Sequence, residues 1–265
     1  MIFADGDKYE SGMSNTQNTK TLSAEQTLHR LATQFTVRDI MVPVEKLVRA
    51  GTPETACRLL EEYQDFNLIP IEVGDKITGY IERNSPDIRS INLDMAVGTG
   101  CSILDIVDVF AERRFCFVLG KWGIEGYVHF SDLNHHLVKL PFYILLQAVE
   151  SHVIFLIQGR FDEAALSHVF PETVVKNIIR DFNKNRVNDS DRSLLNEVNL
   201  RKMLLFATHF GLLTLNAGEI NKLCRVRDTV AHATEKLIHR HDDVKRLMWT
   251  IRECRNILNT YPSTK

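Results

Sequence analysis

Two rhythms of apolar and polar positions divide the chain. Between residues 37 and 137, short apolar runs alternate with turn residues, and from Pro141 onward the apolar positions recur at helical spacing. In the first stretch, Lys46 to Arg49 reads as a strand, Gly51-Thr52-Pro53 as a turn, and Glu54 to Glu62 as a helix. Leu68-Ile69-Pro70-Ile71 reads as a strand, Gly74-Asp75-Lys76 as a turn, and Ile77 to Ile81 as a further strand. The same order then recurs. Asp94 to Val97 reads as a strand, and Ser102 to Ala111 as a helix with Ile103, Val107 and Phe110 on one face. Phe115 to Leu119 is a strand, Gly120-Lys121-Trp122-Gly123 a turn, Gly126 to Phe130 a strand, and Ser131 to Leu137 the start of a helix. Gly79-Tyr80-Ile81 and Gly126-Tyr127-Val128 align 47 residues apart, the mark of an internal repeat.

Outside the repeat, Met1 to about Lys20 is polar and rich in Gly, Ser, Asn and Asp, which predicts a disordered tail over residues 1–21. Ser23 and Gln26 form a capping-box pattern that opens a helix to about Gln34. Beyond Pro141 the spacing predicts helices over about 142–159, 161–170, 171–184, 194–213 and 219–261. Asn188 to Asp191 and Thr214 to Gly218 are the loops. The domains expected are therefore residues 22–140, mixed α/β, and 141–265, an all-α bundle.

Composition changes this picture little. A net charge of −2 supplies no global basic field for bulk nucleic-acid binding, so any RNA contact needs a local site. The five cysteines, an odd number without Cys-x-x-Cys spacing, read as buried thiols of a reducing compartment. The first ten residues carry Asp5, Asp7, Lys8 and Glu10 rather than a signal peptide. The apolar run from Leu140 to Ile157 is interrupted by Gln147, Glu150, Ser151 and His152, so no membrane span is expected and a cytoplasmic protein is.

The segment Val37-Arg38-Asp39-Ile40-Met41-Val42-Pro43, with the repeated strand, turn and Gly-Tyr pattern ending in Gly126-Tyr-Val-His-Phe-Ser-Asp-Leu133, resembles a tandem CBS-domain pair over about residues 23–137. That resemblance implies an adenosine nucleotide (AMP, ADP or ATP) held between the repeats, with its ribose on an acidic residue at a helix start. The second repeat keeps Asp132 six places after Gly126, while His129 stands where Ser or Thr is usual. The first repeat has Glu82 and Ser85 at the matching places, so one nucleotide site is expected, with Arg113 and Arg114 as phosphate partners. Asp132 also reads as a cap of the helix that follows. Gly98-Thr99-Gly100 lacks a third glycine and reads as a turn.

In the C-terminal half, Leu223, Val226, Val230, Ala233 and Leu237 cluster within about 80° of one wheel at about 100° per residue. Arg225, Asp228 and His232 fall on the opposite face, and Arg227 lies nearer the stripe. Asp228 sits one turn before His232 and is placed to orient or charge the imidazole. The order of loop, Arg227-Asp228, three residues, then His232 between alanines resembles the HEPN superfamily, with Asp228 where Asn is commoner and Thr234 where some toxin-type members carry Tyr. The fold class implied is α+β, a tandem CBS α/β pair followed by a HEPN-like helical bundle. The resemblance also implies a homodimer that cleaves RNA, single-stranded by expectation, without a metal or other cofactor. Cleavage would proceed by attack of a 2′-hydroxyl on the adjacent phosphate. His232 would be the acid/base, a role worth about 10²–10⁴-fold, Arg227 would stabilise the charged transition state, and Asp228 would complete the composite site. The plainer reading is an exposed helix histidine and a snorkelling arginine on a non-catalytic, nucleotide-sensing regulatory or dimerisation protein. His239-Arg240-His241-Asp242-Asp243 reads as a solvated helix face rather than a metal site.

Overall fold

The computed structural model describes residues 24–186 and 194–260. The predicted tail, the cap at Ser23 and the loop at Asn188 to Asp191 lie outside the described residues. In chain order the elements are α1 (Ala24–Ala32), β1 (Val42–Pro43), α2 (Pro53–Glu62), β2 (Leu68–Val73), β3 (Lys76–Glu82), β4 (Ser85–Ser90) and β5 (Ala96–Gly98). They continue with α3 (Ile103–Glu112), β6 (Phe115–Gly120), β7 (Gly123–His129) and α4 (His136–Ile157). The remaining helices are α5 (Glu163–Val169), α6 (Glu172–Arg186), α7 (Leu200–His209), α8 (Ala217–Ala231) and α9 (Asp243–Leu258). The fold is mixed α/β.

The repeat is written in the strand register. Val97 pairs with Val118 and Phe117 with Tyr127, while 47 residues earlier Ala50 bridges Ile71 and Pro70 pairs with Tyr80. The two copies form a β2-β3-β4 sheet and a β1-β7-β6-β5 sheet. β1 belongs by sequence to the first copy but pairs antiparallel with β7 of the second, which fastens the copies together. The repeated Gly-Tyr steps have a steric cause. A Cβ on Gly126 would lie 2.9 Å from the Val42 carbonyl oxygen of β1, and one on Gly79 2.8 Å from that of Arg89 in β4.

Several predicted elements differ. Lys46 to Arg49 is not a strand: Val44–Lys46 is a 3₁₀ turn and Ala50 alone makes the bridge. Asp94 and Met95 lie in a 3₁₀ turn, so the strand there begins at Ala96. The helix expected from Leu194 to Leu213 is a 3₁₀ turn (Leu194–Glu197) and then α7, whose N-cap Asn199 accepts the Lys202 amide. α7 ends where Gly211 adopts a φ of +67°. The helix expected from Glu219 to Tyr261 is two helices, with 232–242 as the connection between them.

The helical half and the second repeat share one core, in which Ile103, Phe110 and Val128 join Phe142, Phe206, Leu223 and Ile251. α4 runs through positions 140 and 141 without interruption and carries Pro141 inside it, so a boundary drawn there falls within a helix. By length and composition this 22-residue helix could cross a membrane. Here 56% of its most apolar window is buried, against α1, α7, α8 and α9.

Candidate functional site

Two cavities carry chemistry. The first, about 330 Å³, lies between the two repeats. Its apolar wall comes from β1, the segment after it and β2, as Val42, Val48, Leu68 and Pro70, with Tyr127 from β7. Polar groups converge from both copies: Lys46, Asp65 and Asn67 from the first, His129, Ser131 and Asp132 from the second. The carboxylates and the Asn67 amide can accept from or donate to hydroxyl and ring nitrogen groups, and the Lys46 ammonium can meet an anion.

Asp132 is held in place by the local fold. β7 ends at His129 and the chain turns into a 3₁₀ helix, Phe130–Asn134. Asp132 Oδ2 accepts the His129 backbone N–H at 2.8 Å, so the residue does cap this turn, and Oδ1 makes no hydrogen bond to the described residues. Burial raises its carboxyl pKa, opposed by that hydrogen bond and by the charge of His135. His129 Nδ1 lies 2.8 Å from the Ser131 hydroxyl and 3.3 Å from the Ser131 N–H, which it accepts, and Nε2 is a buried atom without a partner among the described residues. Burial, then the charges of Arg114 and His241, lowers the His129 pKa to about 4.

The matching place in the first repeat has no such turn. Ser85 opens strand β4 and Glu82 is paired with Arg89 at 3.0 Å. Arg113 and Arg114 are not in the lining of the cleft. The Arg113 guanidinium donates to the Asp94 carbonyl, and the Arg114 carbonyl accepts from Phe130 N–H at 2.8 Å. Lys46 is the cation that the cleft does present. It was missed because the 47-residue period matches each residue only to its equivalent in the other copy, whereas Lys46, Asp65 and Asn67 meet Asp132 across the pair at places that do not correspond.

The second cavity, about 950 Å³, is bounded by α8, the 232–242 connection, the first turns of α9 and Arg201 at the start of α7. Arg225 and Asp228 both line it, as residues three apart on a helix can. Arg227 and His232 do not. Arg227, 36% exposed at its side chain, pairs with Asp228 at 3.2 Å and leaves its Nε buried without a partner among the described residues. His232 is not one turn further along the same helix. It is the exposed C-cap of α8, with φ −101° and ψ 115°. The motif therefore lies at the end of a 15-residue helix, not near the start of a long one.

Lys139 explains the break. It is only 7% exposed, and its ammonium donates to the carbonyls of His232 and Ala233, holding the C-terminal end of α8 with a positive charge. The His239 to Asp242 segment is likewise not helical. The Asp243 carboxylate accepts the backbone N–H groups of His239 and Arg240 at 2.8 and 3.0 Å. Among the described residues, no three His, Cys, Asp or Glu side chains are grouped to hold a metal ion.

No protein-family model matches the chain. No curated protein matches it either. Among solved structures, the chain is similar to a hemolysin-like protein containing a CBS domain from Oenococcus oeni PSU. The identity is 15%, over 40% of this chain and 93% of that one, with a TM-score of 0.32. It is also similar to the CBS domain of the bacterial CNNM/CorC family Mg2+ transporter in complex with ATP. There the identity is 17%, over 41% of this chain and 92% of that one, with a TM-score of 0.33.

Proposed function

We propose that this chain is a nucleotide-sensing regulatory protein, in which a tandem CBS pair over residues 22–140 takes one adenosine nucleotide in the cleft between its copies. The observation that carries the reading is the cleft itself. A cavity of about 330 Å³ has an apolar wall for a base, the uncommitted Oδ1 of Asp132 for ribose hydroxyls, and Lys46 for phosphate. It lies within the roughly 300–1,000 Å³ range of small-molecule sites. The test is calorimetric titration of the full chain with ATP, ADP and AMP. At least one should bind, and Asp132→Ala should weaken it by about tenfold or more, the cost of an unpaired ribose. Lys46→Ala should weaken ATP more than AMP. If none of the three binds, or Asp132→Ala binds as wild type does, the reading fails.

A second reading, RNA cleavage in a HEPN-like dimer, is favoured by one feature of α4. Leu140, Tyr143 and Phe155 are 44%, 42% and 56% exposed, and Leu140 adjoins the Lys139 that holds the end of α8. On this reading a second copy covers that stripe, and the Arg227, Asp228 and His232 of both copies face a shared cleft. His232 would then move the proton of the attacking 2′-hydroxyl, with Arg227 on the phosphate. Incubation of single-stranded RNA with purified protein in EDTA should then give 2′,3′-cyclic phosphate ends with wild type, and none with His232→Ala or Arg227→Ala. Absence of decay with every protein, with and without adenosine nucleotide, leaves the regulatory reading without catalysis.

A further inference from the structure

The larger cavity has a charge pattern that neither the nucleotide cleft nor the Arg227 and His232 pair uses. Five cationic side chains line it, Arg201, Arg225, Lys236, Arg240 and Arg246, against three carboxylates, Asp228, Glu235 and Asp243. Two of the carboxylates already have partners. Asp243 accepts two backbone N–H groups and faces Arg246 at 3.6 Å, and Asp228 pairs with Arg227, which stands outside the lining. Arg246 is also committed, donating to the Leu237 carbonyl at 2.9 Å. The other four cations, Arg201, Arg225, Lys236 and Arg240, make no ion pair within 4 Å among the described residues.

In a protein of net charge −2, four cations without an ion pair share this concavity with Glu235 as the one carboxylate left unpaired among the described residues, so the lining keeps a net positive charge that an anion would relieve. They come from three places in the chain, the first turn of α7, the middle of α8 and the 232–242 connection, so a ligand touching all of them must itself carry several negative groups close together. Arginine forks and a lysine suit phosphate oxygens, and the Asn221 amide adds a neutral donor on the same face of α8, one turn before Arg225. Among the described residues no Phe, Tyr or Trp lines the cavity, and these are the stacking platform on which single-stranded nucleic acid is ordinarily held.

We propose that this cavity binds a compact ligand with two or more linked phosphate groups, at a site separate from the cleft between the repeats. The probe is inorganic tripolyphosphate, titrated calorimetrically into the full chain beside orthophosphate. Tripolyphosphate should bind more tightly than orthophosphate, and its affinity should fall steeply with added salt. Arg225→Gln and Arg240→Gln, both exposed positions, should each weaken it by about tenfold, while Lys46→Ala leaves it unchanged. Equal thermal transitions for the variants and wild type confirm that folding is retained. The proposal is overturned if tripolyphosphate binds no better than orthophosphate. It is overturned equally if Lys46→Ala removes the binding and Arg225→Gln does not, which would put the anion in the repeat cleft. Tight binding of a single-stranded oligonucleotide without any of tripolyphosphate would overturn it in favour of a nucleic-acid groove.

Discussion

A protonated imidazole does not suit the place His129 occupies. Its Nδ1 accepts the Ser131 N–H, and the ring lies partly buried near Arg114. The folded pKa of about 4 lies below the ordinary 6.5, so between those pH values the unfolded chain holds a proton that the folded chain does not. Stability then rises with pH across that window and is lost as pH falls from 6.5 towards 4. Asp132 works in the opposite sense, because its raised carboxyl pKa lets the folded state keep a proton that the unfolded state gives up. Replacing His129 by Asn separates the two, since Asn keeps an acceptor for the Ser131 amide and does not titrate. Urea unfolding at pH 7 and pH 5 should show wild type losing about 1 kcal/mol more than His129→Asn, a figure discounted for the exposed part of the ring. Identical losses in the two proteins would mean that the ring is solvated and titrates normally. His129 and Asp132 were legible from their distance to Gly126, because each acts within one copy of the repeat.

At the scale of elements, periodicity misled where burial continued through a break. Leu237 and Ile238, each 1% exposed, extend the apolar phase of α8, yet they belong to the connection after it. Nothing near Ala231 announces a helix end, because the group that ends α8 is Lys139, some 90 residues away in sequence. A buried ammonium shared by two helix-end carbonyls contributes roughly 1–3 kcal/mol, enough to set where a helix stops. β4 escaped notice for a different reason. Ser85-Pro86-Asp87-Ile88-Arg89-Ser90 has neither alternation nor an apolar run, and it is tolerated as a strand because it lies at the edge of its sheet. The strands β2, β3, β6 and β7 were legible because their short apolar runs are bounded by Gly-containing turns.

At the scale of the whole molecule, the repeat pair and the helical half meet at the turn that carries Asp132. Asn134, two residues on, donates to the Ile238 carbonyl at 2.9 Å and accepts the Ile238 N–H at 3.0 Å. Phe130 at the other end of the turn meets the His241 ring edge-on at 5.1 Å, and His241 Nε2 lies 3.1 Å from the Arg113 carbonyl oxygen. On the far side, Arg255 pairs with Asp105 at 2.7 Å and Arg252 with Asp108 at 3.2 Å, fixing α9 on α3. The proposed ligand on Asp132 would therefore act on a turn of five residues whose last member holds the backbone of the 232–242 connection. Nucleotide at 100 times its dissociation constant supplies at most about 2.7 kcal/mol to any arrangement it prefers, which is sufficient to shift local opening of such a connection measurably. Hydrogen exchange on the full chain should thus show slower exchange in 232–242 when ATP is added. Asn134→Ala should bind ATP within about twofold of wild type, because Asn134 does not line the cleft, yet lose that protection. Unchanged exchange in wild type on saturation, or equal protection in Asn134→Ala, would mean that the two halves are joined there without being coupled.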